Sequence, residues 1–395
     1  MDGHHDFIIL IDALRHDYLT PEGTPYLYSL KQQGVHATVT ETYAFQTRPA
    51  FFAGLEPDES QVCTLYEYNV HDSPFAFLRP YESFLSVIDS LSLDRYFRGV
   101  IRRIAKRHAK KLGHHAAADV MGTEQIPLSL LSFFALSEKV YTDDTDAFAP
   151  NLTFFDLLRQ KNKTWAWIGY PRHFGSSESI LNAYYDAEHA DVVYLHFSEL
   201  DWIGHQYGPD SRERREALTK IDQAVKSLLV PSLKAGKRAV IFGDHGMVNV
   251  EYQLNLEKVL KKLPLKVPGD YLYFLDSTQA RFWFSSFSAE RVVRQALEGV
   301  KGGHILGDKE RRELHIDFKH RKYGDLFFAV DGPGIIHPSF FSRNGDGPKG
   351  MHGYLPHVKD NMTQVIVAGE GVSCEERGTL RMVKICNLLK EFLLL

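Results

Sequence analysis

The chain has 395 residues, is 44% hydrophobic and 24% charged, and carries a formal net charge of −4. That is the composition of an ordinary folded protein with ample chain for a large core, and it lacks the strongly basic balance of a general nucleic-acid binder. Three cysteines (Cys63, Cys374, Cys386) are too few and too scattered for a disulfide framework or a cysteine zinc site, so all three are read as reduced and semi-buried.

In chain order, residues 1–6 are polar, with no charged stretch leading into an apolar one. No signal peptide is expected, no apolar run reaches the ~18 residues of a membrane span, and a cytoplasmic protein follows as the default. Phe7, Ile8, Ile9, Leu10 and Ile11 form a continuous apolar run ending at Asp12, the pattern of a strand buried on both faces. Thr24-Pro25 reads as a helix start, with Tyr26, Leu27 and Leu30 on one face and Gly34 as the stop. A second strand follows at 35–42, and further strands are predicted at 165–168, 192–197, 239–242, 326–330 and 364–367. Helical periodicity lies between several of them, at 152–158 and at 211–229. Strands alternating with helices predict an α/β fold whose mostly parallel central sheet is flanked by helices.

Two stretches break the alternation. Residues 76–150 read as a helical insertion or lid, with Arg95, Arg98, Arg102, Arg103, Lys106, Arg107, Lys110 and Lys111 in one basic run. Residues 270–345 read as a small α+β lobe with a helix at 289–297. The whole, 1–395, is taken as one catalytic domain carrying both.

Four clusters stand at predicted strand ends, where open α/β sheets place their sites. They are Asp12; the stretch Glu199-Leu200-Asp201-Trp202-Ile203-Gly204-His205-Gln206-Tyr207-Gly208-Pro209; Gly243-Asp244-His245-Gly246-Met247; and His352-Gly353-Tyr354-Leu355-Pro356. Singly, each has an ordinary explanation as a cap or turn. Together, Asp12, Asp201, His205, Asp244, His245 and His352 give three carboxylates and three imidazoles, a donor set suited to zinc and, less well, to manganese or iron. Two cations ~4 Å apart can clamp the attacking and leaving oxygens of a phosphoryl displacement. His357 is read as a solvated neighbour of His352.

These motifs resemble the type I phosphodiesterase/nucleotide pyrophosphatase family of the alkaline phosphatase superfamily, over residues 7 to about 370. The resemblance implies an alkaline-phosphatase-like fold and a two-metal hydrolase of phosphodiester or pyrophosphate bonds. It implies one cation held by Asp201, His205 and His352, and the other by Asp12, Asp244, His245 and the nucleophile. In the family that nucleophile is a Thr or Ser ahead of a helix ending in T-G-L-x-P. Counting back from Gly54-Leu55-Glu56-Pro57 reaches Ala44, which cannot attack phosphorus. Three explanations stay open: Thr47 supplies the hydroxyl from a helix N-terminus, Thr42 does so from the preceding strand, or the chain supplies none and a metal-bound hydroxide attacks directly. For Thr47 the competing role is an N-cap for a helix beginning at Pro49. Arg48 stands where the sulfatase branch places an anion-binding arginine, and its planar fork suits phosphoryl oxygens.

Two alternatives to the hydrolase are a pseudoenzyme that binds a phosphorylated ligand without a nucleophile, and a sulfatase or phosphonate hydrolase. A small phosphorylated substrate is expected, a nucleotide or a lipid-linked diester. Phe45, Phe51, Phe52 and Tyr207 are candidates for stacking on its second ester group. The apolar residues Val100, Ile101, Ile104 and Leu112 interrupt the basic run at partly helical spacing, so 95–112 is also read as a possible peripheral membrane contact.

Overall fold

The structure, a computed structural model, describes residues 5–173, 175–185 and 190–394. Its strands are β1 (Asp6–Ile11), β2 (Val35–Thr40), β3 (Trp165–Ile168), β4 (Val192–Phe197), β5 (Arg238–Phe242), β6 (Tyr271–Leu275), β7 (Gln279–Phe284), β8 (Gly303–Ile305), β9 (Leu326–Val330), β10 (Thr363–Gly369) and β11 (Glu375–Arg381), together with several shorter pairs. Seven of these build the main sheet in the order β11-β2-β10-β5-β1-β4-β3. β1 lies between β5 and β4 and pairs in parallel with both, Ile9 standing opposite Ile241 and Leu195. Only β10 runs against its neighbours β2 and β5. Its N-terminal end therefore meets the C-terminal ends of the others.

The continuous apolar run of β1 is explained by two-sided burial. Phe7, Ile9 and Ile11 enter one hydrophobic cluster, with Leu27 and Leu30 of α1 (Pro25–Gln33) and with Ile221, Val225 and Leu228 of a long helix over Arg212–Lys234. Ile8 and Leu10 point the other way, against Phe51 and Phe52 of α2 (Arg48–Ala53) and against Leu388 and Leu389 of a C-terminal helix over Ile385–Leu393. α1 begins at Pro25 and stops at Gly34, whose N–H donates to the Leu30 carbonyl. All three cysteines are unpaired; Cys63 and Cys386 are fully buried, while Cys374 is exposed rather than half-buried as its surroundings in sequence suggested.

The second sheet is antiparallel, in the order β6-β7-β9-β8. The stretch between β2 and β3 contributes α3 (Glu82–Ser90) and α4 (Arg95–Lys111). A short strand at Phe134–Leu136 pairs with Tyr66–Tyr68. This stretch and the antiparallel sheet share one hydrophobic cluster: Leu85, Ile88, Ile101, Ala105 and Phe134 pack with Phe274, Phe282 and Leu326.

Beside that cluster lies a fully buried ion pair. Arg281 Nε donates to Asp276 Oδ2 (3.0 Å), and its Nη1 donates to the Tyr66 carbonyl (2.9 Å), with the guanidinium 4.6 Å from the Phe274 ring centre. Burial raises the Asp276 carboxyl to about 6 even with Arg281 beside it. Removing one partner of such a pair strands a buried charge, so Arg281→Ala is expected to cost about 3–5 kcal/mol in urea unfolding. Replacing both partners with apolar residues should recover much of that loss; a single variant as stable as the parent would show that the pair contributes nothing to stability.

Candidate metal centre and active site

The site lies where the C-terminal ends of the parallel strands meet the start of β10. Asp12 follows β1 directly, and Asp201 and His205 sit on α5 (Glu199–Tyr207) just beyond β4. Asp244 and His245 follow β5 after Gly243, and His352 precedes β10. Local backbone geometry fixes these side chains. Ala13 takes a left-handed conformation (φ 58°), a strained choice for a residue with a Cβ, and its N–H donates to Asp244 Oδ1 (3.2 Å). The two glycines around Asp244-His245 are steric necessities: a Cβ on Gly243 would lie 2.1 Å from Thr363 Oγ1, and one on Gly246 would lie 2.2 Å from the Asp360 carbonyl oxygen. Arg15 ties the surrounding loops together, pairing with Asp17 (2.7 Å) and Asp210 (3.1 Å) and donating to the Met247 carbonyl (3.2 Å).

The six residues predicted as ligands converge. His205 Nε2 lies 3.2 Å from Asp201 Oδ1, His352 Nε2 3.8 Å and His245 Nε2 3.9 Å from the same oxygen. His245 Nε2 is also 3.2 Å from Asp12 Oδ1 and 3.7 Å from Asp244 Oδ2. With metal–ligand bonds of about 2.0–2.1 Å in tetrahedral array, ligand atoms stand roughly 3.3 Å apart, so these separations suit a shared ion. Ligand atoms close enough for this fall into two groups, Asp201-His205-His352 and Asp12-Asp201-His245. Asp201 belongs to both.

Tautomer and orphan groups support the same fit. His205 Nδ1 donates to the Gly350 carbonyl and His245 Nδ1 to the Gly246 carbonyl, both at 2.8 Å. In the neutral tautomer each ring then turns its Nε2 lone pair inward, as a metal-ligating histidine does. Those lone pairs face Asp201 Oδ1, a buried carboxylate oxygen that accepts no hydrogen bond. Lone pairs and a bare carboxylate oxygen gathered in a buried space call for a cation between them. The electrostatics show the strain of the set when protons alone balance it. Burial opposes charge on His245, but Asp244, Asp12 and Asp201 hold its pKa well above the ordinary imidazole value. Burial together with His245 and His205 drives His352 well below it. Burial, with Asp12 nearby, pushes Asp244 up to about 6. Against burial, bonds from His196 and His245 hold Asp12 far below the usual carboxylate range.

Five of the six residues, all but His205, line a cavity of about 340 Å3 together with Phe45, Gln46, Thr47, Arg48, Tyr170, His196 and Trp202. Thr47 thus reaches the ligand cluster, and Thr42 and Ala44 do not line the cavity. Ala44 is buried in a separate apolar cluster with Tyr43, Cys63 and Leu355. Thr47 also stands at the start of α2, yet its side chain makes no capping bond. Arg48 lines the cavity as well, but its guanidinium is committed: Nε donates to Glu138 Oε2 (2.9 Å), Nη2 donates to Gln46 Oε1 (2.9 Å), and the group sits 4.9 Å from the Tyr170 ring centre. That engagement with a carboxylate 90 residues away occupies Nε and Nη2 of the fork that sequence offered to phosphoryl oxygens.

Among the aromatic candidates, Phe45 lies edge-on to the His352 ring at 5.7 Å and Phe51 lines the cavity floor, whereas Phe52 is core and Tyr207 lies outside. Three residues that sequence reasoning passed over lie in the site or against it. Trp202, half exposed, stands beside Asp201 at the cavity wall. His196, the one imidazole in the otherwise apolar β4, lies with Nε2 3.0 Å from Asp12 Oδ2, its Nδ1 buried without a partner. Glu41 is buried next to Asp244 and His245, takes a hydrogen bond from the Asn361 amide, and is lifted by burial to about 8. A polar residue inside a buried strand was the available signal for His196; nothing in sequence marked Glu41.

Residues 7–355 match the model of the family described as type I phosphodiesterase / nucleotide pyrophosphatase. Human ectonucleotide pyrophosphatase/phosphodiesterase family member 7 is 38% identical over 179 residues, 41% of this chain and 34% of that protein. The mouse protein of that name is 24% identical over 255 residues, 62% of this chain and 51% of that one. The chain thus spans about a third to a half of the length of these relatives. Among solved structures, human ectonucleotide pyrophosphatase/phosphodiesterase 5 superposes with a TM-score of 0.68 at 14% identity, covering 99% of this chain and 95% of that one. An inactive Thr-to-Ala form of the murine protein, in complex with AMP, superposes equally well at 15% identity.

Proposed function

We propose, from the premise that this chain belongs to the type I phosphodiesterase / nucleotide pyrophosphatase family, that it hydrolyses phosphodiester or pyrophosphate bonds with two divalent cations and with Thr47 as nucleophile. The observation that carries the reading is the convergence of six ligand-type side chains, five of them lining one cavity that Thr47 also lines without making a capping bond. Asp201, His205 and His352 would hold one cation, and Asp12, Asp244 and His245 the other, with Asp201 close enough to both to be shared between them. The carboxylate and imidazole donors suit zinc, with manganese or iron as weaker fits. Cations bound there would make the attacking oxygen more acidic and offset charge building on the phosphoryl oxygens.

The chain's own residues supply the rest. Thr47 Oγ1 forms a bond to phosphorus as the ester oxygen leaves with its electron pair, and water then cleaves the phosphothreonine to regenerate the hydroxyl. Arg48, neutralised by Glu138 and held against Tyr170, fixes the backbone on which Thr47 sits. Phe45 and Trp202 offer apolar faces to the leaving or retained ester group, and a nucleotide base is the favoured occupant, in keeping with the AMP bound by the murine relative.

Turnover of bis-p-nitrophenyl phosphate tests the reaction class. Activity is expected to fall at least about a hundred-fold on exhaustive chelation and to return when zinc or manganese is added back. Turnover that survives chelation would remove the metal reading. Stoichiometric metal without turnover on diesters and nucleotide pyrophosphates would favour the binding protein motivated by Ala44.

A further inference from the structure

Exposed large hydrophobic side chains concentrate, among the described residues, on the outer face of the helical stretch. Seventeen large hydrophobic residues are exposed among the described residues, and nine of them fall between Tyr81 and Leu112. They are not scattered. On α3, Leu85 and Ile88 enter the shared core, leaving Phe84 (58% exposed), Val87 and Leu91 (61%) in a row spaced by three and four residues. On α4, Ile101, Ala105 and Ala109 enter the same core, leaving Tyr96 (65%) and Val100 outward in line with Arg103 and Arg107. Contiguous apolar surface of this kind on a soluble fold marks an interaction face.

Charge identifies the occupant. α4 contains eight arginines and lysines and no acidic residue. Only Arg98 among them is consumed internally to any depth: its guanidinium bonds Asp94 (2.7 Å) and the carbonyls of Thr123, Glu124 and Ile126 (3.1, 2.9 and 2.8 Å). Arg103, Arg107, Lys110 and Lys111 are exposed at the C-terminal half, beyond the aromatic N-terminal half. A helix that combines outward aromatic and aliphatic side chains with a run of long cations matches a lipid headgroup layer. The apolar rows enter the acyl boundary, the cations meet anionic headgroups, and no shape-matched partner is required. The position also fits. A cavity between α4 and residues 119–125, lined by Arg98, Arg102 and Lys106, shares Tyr170 with the cavity of the candidate site, so the two cavities adjoin at that residue.

We propose that the face made by α3 and α4 docks this protein on an anionic membrane surface. The inference is independent of the hydrolytic reading, because docking is measured without turnover. The full chain, loaded with zinc, is to be co-sedimented with vesicles of phosphatidylcholine alone and of phosphatidylcholine rich in phosphatidylserine. Affinity is expected to be at least about ten-fold higher for the anionic vesicles and to fall as salt rises. Phe84→Ser/Val87→Ser and Arg103→Glu/Arg107→Glu should each weaken it about ten-fold or more. All four positions are exposed, so the melting temperature and the turnover of a soluble diester should stay at the parent values. No binding to either vesicle at low salt would overturn the proposal, as would either double variant binding like the parent. Light scattering adds a further arm: a dimer that Phe84→Ser/Val87→Ser dissociates would show that a second copy covers this face instead, and would likewise overturn it.

Discussion

Asp201→Ala is expected to lower diester turnover by about a thousand-fold or more and to reduce bound zinc from about two ions per chain to fewer than one. The prediction rests on one oxygen. Asp201 Oδ1 is within 3.9 Å of three imidazole nitrogens, and Asp201 is the residue common to both groups of ligand atoms. A ligand confined to one group, such as His205, should lose mainly one ion on substitution, while Asp201 should affect both. Elemental analysis of the two variants against the parent makes the comparison. Parental zinc content in Asp201→Ala would show that the two groups do not share this carboxylate.

The second large effect falls on Thr47. Thr47→Ala is expected to reduce turnover by about a thousand-fold or more, Thr47→Ser to keep a substantial part of it, and Thr42→Ala to stay within about three-fold of the parent. The direction follows from placement: Thr47 lines the ligand cavity with no capping bond, and Thr42 is buried away from it. A trapped phosphothreonine, located by mass spectrometry after acid quench, separates a nucleophile from a residue that only shapes the wall. Full activity in Thr47→Ala would leave direct attack by water as the remaining route.

Much of the fold was legible because its signals are local. The apolar run at 7–11, the Pro25 start and Gly34 stop, and the long amphipathic helix at Arg212–Lys234 each follow from spacing within one element. Strand direction is not local, and the reversal of β10 had no signature in residues 364–367. The residues that converge at the site were legible because metal chemistry restricts residue types so sharply that Asp244-His245 between glycines stands out. The nucleophile segment was ambiguous for the opposite reason. An ungapped count presumes a fixed backbone path, whereas here the chain turns tightly at 42–44, buries Ala44 with Tyr43 and Cys63, and presents the next threonine. The partner of Arg48 lies 90 residues away, and Glu41 owes its role to tertiary burial alone. Neither can be read from a neighbourhood in sequence.

The common hydrophobic cluster beneath α3, α4 and the antiparallel sheet limits how these parts of the molecule can move against each other. Lifting α4 by itself would bring Ile101, Ala105 and Ala109 into water along with the sheet residues they cover, at roughly 1.5–3 kcal/mol for each large side chain uncovered. A rigid-body swing that carries β6 to β9 together with the helices exposes none of that area. Hinge bending is therefore confined to the few strands of chain that cross between the two sheets, and a flap moving on its own stem is the costlier path.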